Sequence, residues 1–385
     1  MRFITSRNKK RNKLKNFFKP RFSSAKPDYV LGGIIFLILI FGLIALYSAS
    51  NFESLNKFGD TYYLFKHQLI FGLLPGLILL FILARINYNQ WEKYPVLFFI
   101  LAIILLTLVF IPGVGATYGR AKSWVNIAGF SFQPAEIVKL LFILSLASWF
   151  AHRGKEKTSD FWNGLVPFTV ILALISLPII MQPDIGTLAV VVIIAFAIYF
   201  IAGGKIFHII SLGLVGLGAF GILIAQAPYR AQRLMTFLYP ELDPEGIGYH
   251  IKQAFLAIGS GGWFGLGLGQ SRQKLAYLPE VKADSIFAII AEEMGFIVSA
   301  GLIILFLVLL FRGLKLAQAA PDDFSRYTIV GIIIWFSLQA FLNIAAMVGL
   351  LPLTGIPLPF ISYGGTALMS ALAATGILIN ISKHI

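Results

Sequence analysis

The chain has no cysteine, only five histidines and 17 acidic residues in 385, and charged residues of both signs make up just 12% of it. Without cysteine there is no disulfide framework and no thiolate metal site. Five histidines scattered singly give no ligand spacing for a histidine metal cluster. The scarcity of charge excludes an ordinary soluble domain, in which about 25% of residues are charged. Apolar residues fill the chain instead: 58% are hydrophobic and the mean hydropathy is +0.84. Runs of about 20 apolar residues, enough to cross ~30 Å of hydrocarbon, recur along most of its length. The sequence is that of an integral membrane protein.

Charged residues and Gly/Pro breaks divide the apolar sequence into ten candidate spans, near 30–48, 67–84, 95–112, 134–151, 164–182, 186–203, 206–226, 285–311, 327–349 and 366–381. The expected fold class is all-α: a polytopic bundle of ten transmembrane helices with a long structured extracellular loop between helices seven and eight. Three parts follow: a basic tail at 1–29, a ten-span domain at 30–381 that includes the loop at 227–284, and a short C-terminus at 382–385.

The net charge of +14 is unevenly placed. Ten Lys/Arg fall in residues 1–28, a tail that suits anionic headgroups; no nucleic-acid-binding fold accompanies it. With this tail inside, the inner segments hold 20 Lys/Arg, whereas the short outer loops hold four: Lys57, Lys66, Arg120 and Lys122. Positive charge resists translocation, so both termini are expected in the cytoplasm and the long loop outside. The apolar run after the tail is too long for the core of a signal peptide.

Carboxylates inside such a chain need reasons. Glu136 and Lys139, in "QPAEIVKLLF", are three apart and share a helix face, where each neutralises the other. Two readings stay open: an ion pair that only fixes packing, and a direct role beside a substrate cavity. Both turn the pair toward the bundle interior. Pro134 suits the first turn of a helix. Asp184, in "MQPDIGT", reads as a helix N-cap. Glu292 and Glu293 lie two turns or more into the eighth span. Adjacent helical residues point about 100° apart, so the two are not expected to serve one pocket equally. At least one is expected to accept hydrogen bonds from a neighbour or to stay protonated.

Asp284 stands directly before that span, after "LPEVKA" with its Glu280 and Lys282. It too could be an N-cap. Its surroundings favour function: Arg230, Arg233, Lys252, Arg272, Lys274 and Lys282 share its loop, and Arg120 and Lys122 lie on another outer loop. One carboxylate in a basic, aromatic-rich outer region suits an anionic phosphate or pyrophosphate. The run "AIGSGGWFGLGLGQ" matches no nucleotide-binding loop, and its glycines read as close helix packing or a hinge. "GIPLPFISYGG" reads as irregular backbone buried in protein or lining a cavity.

Four runs taken together, "QPAEIVKL", "QPDIGT", "GYHIKQAFLAIGSGGWFGLGLGQSRQKLAYLPEVKADSIFAIIAEEMGF" and "GLLPLTGIPLPFISYGGT", resemble the SEDS family of integral-membrane peptidoglycan glycosyltransferases. "GLGLGQSRQKLAYLPE" and "GIPLPFISYGG" look more like its cell-division branch, FtsW, than its elongation branch, RodA. The resemblance implies polymerisation of lipid II into glycan strands at the outer face of the cytoplasmic membrane. It places Asp284 at the family's essential loop carboxylate and Glu136 and Lys139 at its intramembrane charged pair. Where many members have His-Thr before this aspartate and Phe after it, this chain has Lys282, Ala283 and Ser285.

The chemistry this implies needs a base for the acceptor hydroxyl and cations for the departing pyrophosphate. Asp284 is the expected base. Arg120, Lys122, Arg230, Arg233, Lys252 and Lys282 are the candidate pyrophosphate ligands, with Glu136, Lys139, Asp184, Glu280, Glu292 and Glu293 as structural or cavity charges. The sequence specifies no cofactor and leaves a divalent cation open. By resemblance the partners are a class B penicillin-binding protein and divisome proteins, in addition to lipid II and membrane lipid. The alternatives are a lipid II flippase, which would place its essential charges at the midplane, an elongation role, or a scaffold without chemistry.

Overall fold

The computed structural model describes residues 26–118, 121–127, 129–225, 232 and 235–385. Most of the basic tail lies outside them, as do Arg120, Arg230 and Arg233. The helices in chain order are α1 (Tyr29–Phe58), α2 (Tyr63–Leu83), α3 (Pro95–Leu108), α4 (Pro134–Ser159), α5 (Phe161–Met181), α6 (Ile185–Ile201), α7 (Ile206–Ala225), α8 (Ile247–Ser260), α9 (Ile286–Gln318), α10 (Asp323–Met347) and α11 (Gly365–Ser382). Seven of these, α1, α2, α4, α5, α9, α10 and α11, are long and apolar enough to cross a membrane. Pro95–Leu108, Ile185–Ile201 and Ile206–Ala219 are apolar but shorter. The chain is a multi-pass membrane protein, built of helices because a helix satisfies its own backbone polar groups in lipid.

Most of each expected apolar run falls on one of these helices, but the elements differ from expectation in three ways. First, the fold is not purely helical. Residues between α3 and α4 form a three-stranded antiparallel sheet, β1 (Gly115–Tyr118), β2 (Ala121–Ile127) and β3 (Phe130–Phe132), in that spatial order. Ser123 and Val125 are buried and Asn126 is exposed, the period-two pattern of a half-buried strand. Second, α1 runs ten residues past position 48, to Gly59 in the left-handed conformation (φ 72°), where glycine ends helices without penalty. Hydropathy falls where lipid contact ends, but the helix continues.

The third difference concerns α9. Gly295 has φ 79° and ψ −177°, so the helix is broken there and only 296–318 continues as the long apolar segment. The backbone groups freed by the break pair with the glycine-rich loop after α8. Leu266 and Gly267 donate to the carbonyls of Glu292 and Glu293, each at 3.0 Å, and Phe296 donates to Gly262 O at 2.9 Å. A side chain at Gly261, Gly265 or Gly295 would collide with the facing backbone. The close-packing reading of these glycines therefore holds. Glu292 and Glu293 precede the break and do not lie inside a continuous apolar span.

Helix α10 is deeply enclosed. It packs against α4, α6 and α9, with Trp335, Phe336 and Tyr327 fully buried. Helix α1 runs beside α9, tied at one end by Asp28–Arg312 at 2.8 Å and at the other by Ser48 Oγ donating to Glu293 at 2.6 Å.

Candidate functional site

Two amides of α10, Gln339 and Asn343, stand one turn apart on one face and join the Glu136–Lys139 pair to the segment that carries Asp284. Gln339 Oε1 accepts from Lys139 Nζ at 2.6 Å and from Trp335 Nε1 at 2.8 Å, while its Nε2 donates to Pro357 O at 2.9 Å. Asn343 Nδ2 donates to both Asp284 O and Ile356 O at 2.8 Å. The intramembrane pair, the loop 351–364 and the segment carrying Asp284 thus meet along a single helix.

Lys139 pairs with Glu136 at 2.7 Å, and both side chains are at least 97% buried. Lys139 also lies 4.9 Å from the Trp335 ring centroid, a cation–π distance. Three partners compensate its charge where water is excluded, as a buried charge requires. A cavity of about 10 Å³ beside Glu136, Gln339 and Ser362 has room for about one water. Pro134 occupies the first turn of α4, and Asp184 caps α6 by accepting from Thr187 N at 3.0 Å and Thr187 Oγ1 at 2.8 Å. The capping reading of Asp184 holds.

Asp284 is half-buried at the mouth of α9. The N-cap position belongs to Ser285. The carboxylate faces Gly355, at which a Cβ would stand 3.6 Å from Asp284 Oδ2; with φ 73°, glycine is the residue that fits there. Main-chain carbonyls hold the segment from both sides. Ala283 O accepts from Ser362 Oγ at 2.6 Å and Lys282 O from Tyr363 N at 2.7 Å. Phe360, buried at φ 65°, marks strain in the same loop. This loop is irregular backbone packed in protein, as its proline and glycine content implies.

The basic candidates do not converge. Lys282 Nζ is bound to Glu53 at 2.7 Å, and Lys57 shares that carboxylate at 2.8 Å. Lys252 is exposed on α8, and Lys122 on β2 folds over Gly115. Glu280 is exposed in a left-handed turn (φ 50°). Glu292 and Glu293 do serve one place, contrary to expectation, because the loop wraps both. Glu292 accepts from Ser271 Oγ and from Arg272 N at 3.0 Å; Glu293 pairs with buried Lys274 at 2.8 Å and accepts from Ser271 N at 3.2 Å.

Among the described residues no group of three or more His, Cys, Asp or Glu is assembled to hold a metal ion. The sequence reading missed Glu53, Gln339, Asn343, Ser362 and His250. The amides had a visible signal, two polar residues four apart in the otherwise apolar run "IIIWFSLQAFLNIAAM".

His250, on α8, reaches the Asp284 segment through Ser285, Nε2 to Oγ at 2.6 Å. Ser285 gives its own proton to Pro279 O at 2.8 Å, so Nε2–H is the donor. Burial pushes the imidazole down to about 4, whereas an unfolded chain titrates near 6.5. Between those values the unfolded state binds more protons. Stability is thus fully present above about pH 6.5 and is lost as pH falls toward 4, by up to about 3 kcal/mol. Thermal unfolding across that window should show wild type losing more than His250→Gln, which keeps a donor but cannot titrate; parallel curves would refute this.

Comparison with known proteins decides the lineage. A family model described as "Cell cycle protein" (FTSW_RODA_SPOVE) matches residues 29–385. The chain belongs to the FtsW/RodA/SpoVE family. Within that family it is similar to stage V sporulation protein E of Bacillus subtilis strain 168, at 43% identity over 358 residues, 93% of this chain and 97% of the relative. It is also 38% identical over 357 residues to a probable peptidoglycan glycosyltransferase FtsW of Geobacter sp. strain M18, again covering 93% and 97%. Among solved structures of the FtsW/RodA/SpoVE family it resembles Thermus thermophilus rod shape determining protein RodA, with a TM-score of 0.68 at 26% identity, covering 92% of this chain and 96% of that one. A chain from a peptidoglycan synthase complex that coordinates polymerization and crosslinking gives 0.75 at 27%, covering 92% and 97%.

Proposed function

We propose that this chain is a peptidoglycan glycosyltransferase that polymerises lipid II into glycan strands, with Asp284 as the general base. The observation that carries this reading is the mounting of Asp284: one half-buried carboxylate on a segment held by Asn343, Ser362 and Tyr363. A base is useful only when its position is fixed relative to the proton it takes. The acceptor sugar hydroxyl attacks the anomeric carbon of the donor, its proton passes to Asp284, and the bond to the polyprenyl pyrophosphate breaks. One displacement inverts the anomeric centre. A single carboxylate suffices because the leaving group departs as an anion, whereas glycoside hydrolysis needs a pair.

Cationic side chains at the same end of the bundle support pyrophosphate departure. Lys252 is the most accessible of the described candidates, and Arg120, Arg230 and Arg233 complete the set on sequence grounds. An apolar cavity of about 210 Å³ lined by Leu79, Leu83, Phe98, Leu140, Leu144 and Ile377 suits part of a polyprenyl tail. The topology that fits is ten spans with both termini cytoplasmic and the loop at 227–284 outside, on the strength of the Lys/Arg distribution. The similarity to FtsW proteins supports work at the division septum beside a class B penicillin-binding protein and other divisome proteins.

The test uses purified protein in liposomes with labelled lipid II, with and without a class B partner, reading glycan-chain length. Polymer in either condition supports the proposal. Movement of lipid II across the bilayer with no polymer in both conditions would make the chain a transporter.

A further inference from the structure

The glycine-rich segment after α8 turns its apolar side chains outward. Trp263, Phe264, Leu266 and Leu268 are 66%, 82%, 41% and 51% exposed. Helix α8 continues the patch: Ile251, Ala254 and Ala257 face the protein, Phe255 is half-exposed with its ring tip against Gly349, and Leu256 faces out beside exposed Lys252. Trp263 packs edge-on against Phe296 at 5.2 Å between ring centroids. Phe296 and Ile297 are themselves exposed and open the outward stripe of α9 that continues through Ile304 and Phe311.

Two polar contacts between α1 and α9 set the depth of this patch. At one end Asp28 meets Arg312, and at the other Ser48 meets Glu293. From Asp28 to Ser48 the chain rises ~30 Å along α1 at 1.5 Å per residue, which is the thickness of the hydrocarbon core. Glu293 therefore marks the hydrocarbon boundary on the loop side. Phe296 and Ile297 follow it toward Arg312 and lie about 5 Å inside that boundary. The backbone bonds from Phe296 N to Gly262 O and from Ile297 N to Trp263 O hold the tip of the loop at the same depth.

We propose that residues 262–268, together with the outward face of α8, are inserted into the bilayer leaflet on the loop side. The occupant of this apolar face is membrane lipid. Acyl chains lie against Phe264, Leu266 and Leu268, and headgroups lie against the indole N–H of Trp263, in the manner of interfacial aromatic residues. The depth of the patch, about 5 Å inside the hydrocarbon boundary, argues for lipid as its occupant. The tip is thereby a membrane anchor on the loop, separate from the spans.

The absence of cysteine makes single-site labelling direct. Phe264→Cys and Leu268→Cys would carry a nitroxide in the full-length protein, reconstituted in phosphatidylcholine–phosphatidylglycerol vesicles without other proteins. The ratio of oxygen accessibility to that of a water-soluble nickel chelate should be severalfold higher at these sites than at Glu245→Cys, an exposed position before α8. Equal ratios overturn the proposal. So does a ratio that rises only when a class B penicillin-binding protein is added, because the occupant is then protein. A label-free check compares wild type with Trp263→Phe. The fluorescence lost in the variant should be the component quenched by lipids brominated near the headgroup; an unquenched component overturns the proposal as well.

Discussion

Asp284→Asn is expected to lower glycan polymerisation by about 10²–10⁴-fold, the usual value of a positioned general base, without unfolding the protein. Asparagine matches aspartate in shape. The bonds that fix the segment are made by the carbonyls of Lys282, Ala283 and Asp284 and by the Ser285 hydroxyl, and the substitution leaves these in place. Initial rates with labelled lipid II, taken beside thermal unfolding of both proteins, give the answer. Polymer from the variant at near wild-type rate would reduce Asp284 to a structural carboxylate at the mouth of α9 and leave the base to be found elsewhere.

The second large effect concerns the buried pair. Lys139→Met should destabilise the protein by about 3–5 kcal/mol, because it strands the Glu136 carboxylate without its cation. The surrounding amide is not disturbed to the same degree, since Gln339 Oε1 still accepts from Trp335 and its Nε2 still holds Pro357 O. The double variant Glu136→Leu/Lys139→Met should regain most of the loss, since an apolar pair of similar volume needs no compensation. Unfolding temperature and the yield of folded protein in detergent follow both effects. Activity of the double variant then separates the two readings of the pair. Restored stability with restored polymerisation makes it a packing device, whereas restored stability without polymerisation gives it a part in the chemistry.

Much of this architecture was legible in the sequence because the bilayer imposes a simple rule on apolar length. The positions of the apolar helices, the ion pair at i,i+3, the Asp184 cap and the placing of Asp284 before a helix all follow from local spacing. What was not legible depends on contacts distant in sequence. The turn that brings the Asp284 segment beside the Lys139 pair is made by Gln339 and Asn343, which a hydropathy reading passes over as interruptions in an apolar run. Lys274 counted as a surface cation in the sequence and proves to be the buried partner of Glu293. Lys282 likewise looked like a free ligand for phosphate and is matched to Glu53, a residue on the helical extension that hydropathy truncates. The strands before α4 escaped notice because a short alternating run between two spans gives too little length for a pattern to stand out.

The break in α9 has a consequence for how this protein can vary. The joint at Gly295 is closed by backbone bonds to residues 262, 266 and 267, and each bond depends on the count of residues between them. One residue inserted or deleted among 262–267 would move donors opposite donors and bring a side chain where only glycine fits. Ordinary connecting loops tolerate changes of length well. This one carries the fixed register of a strand, so its length should be as constrained as that of the helices it joins, even where its exposed side chains are free to change.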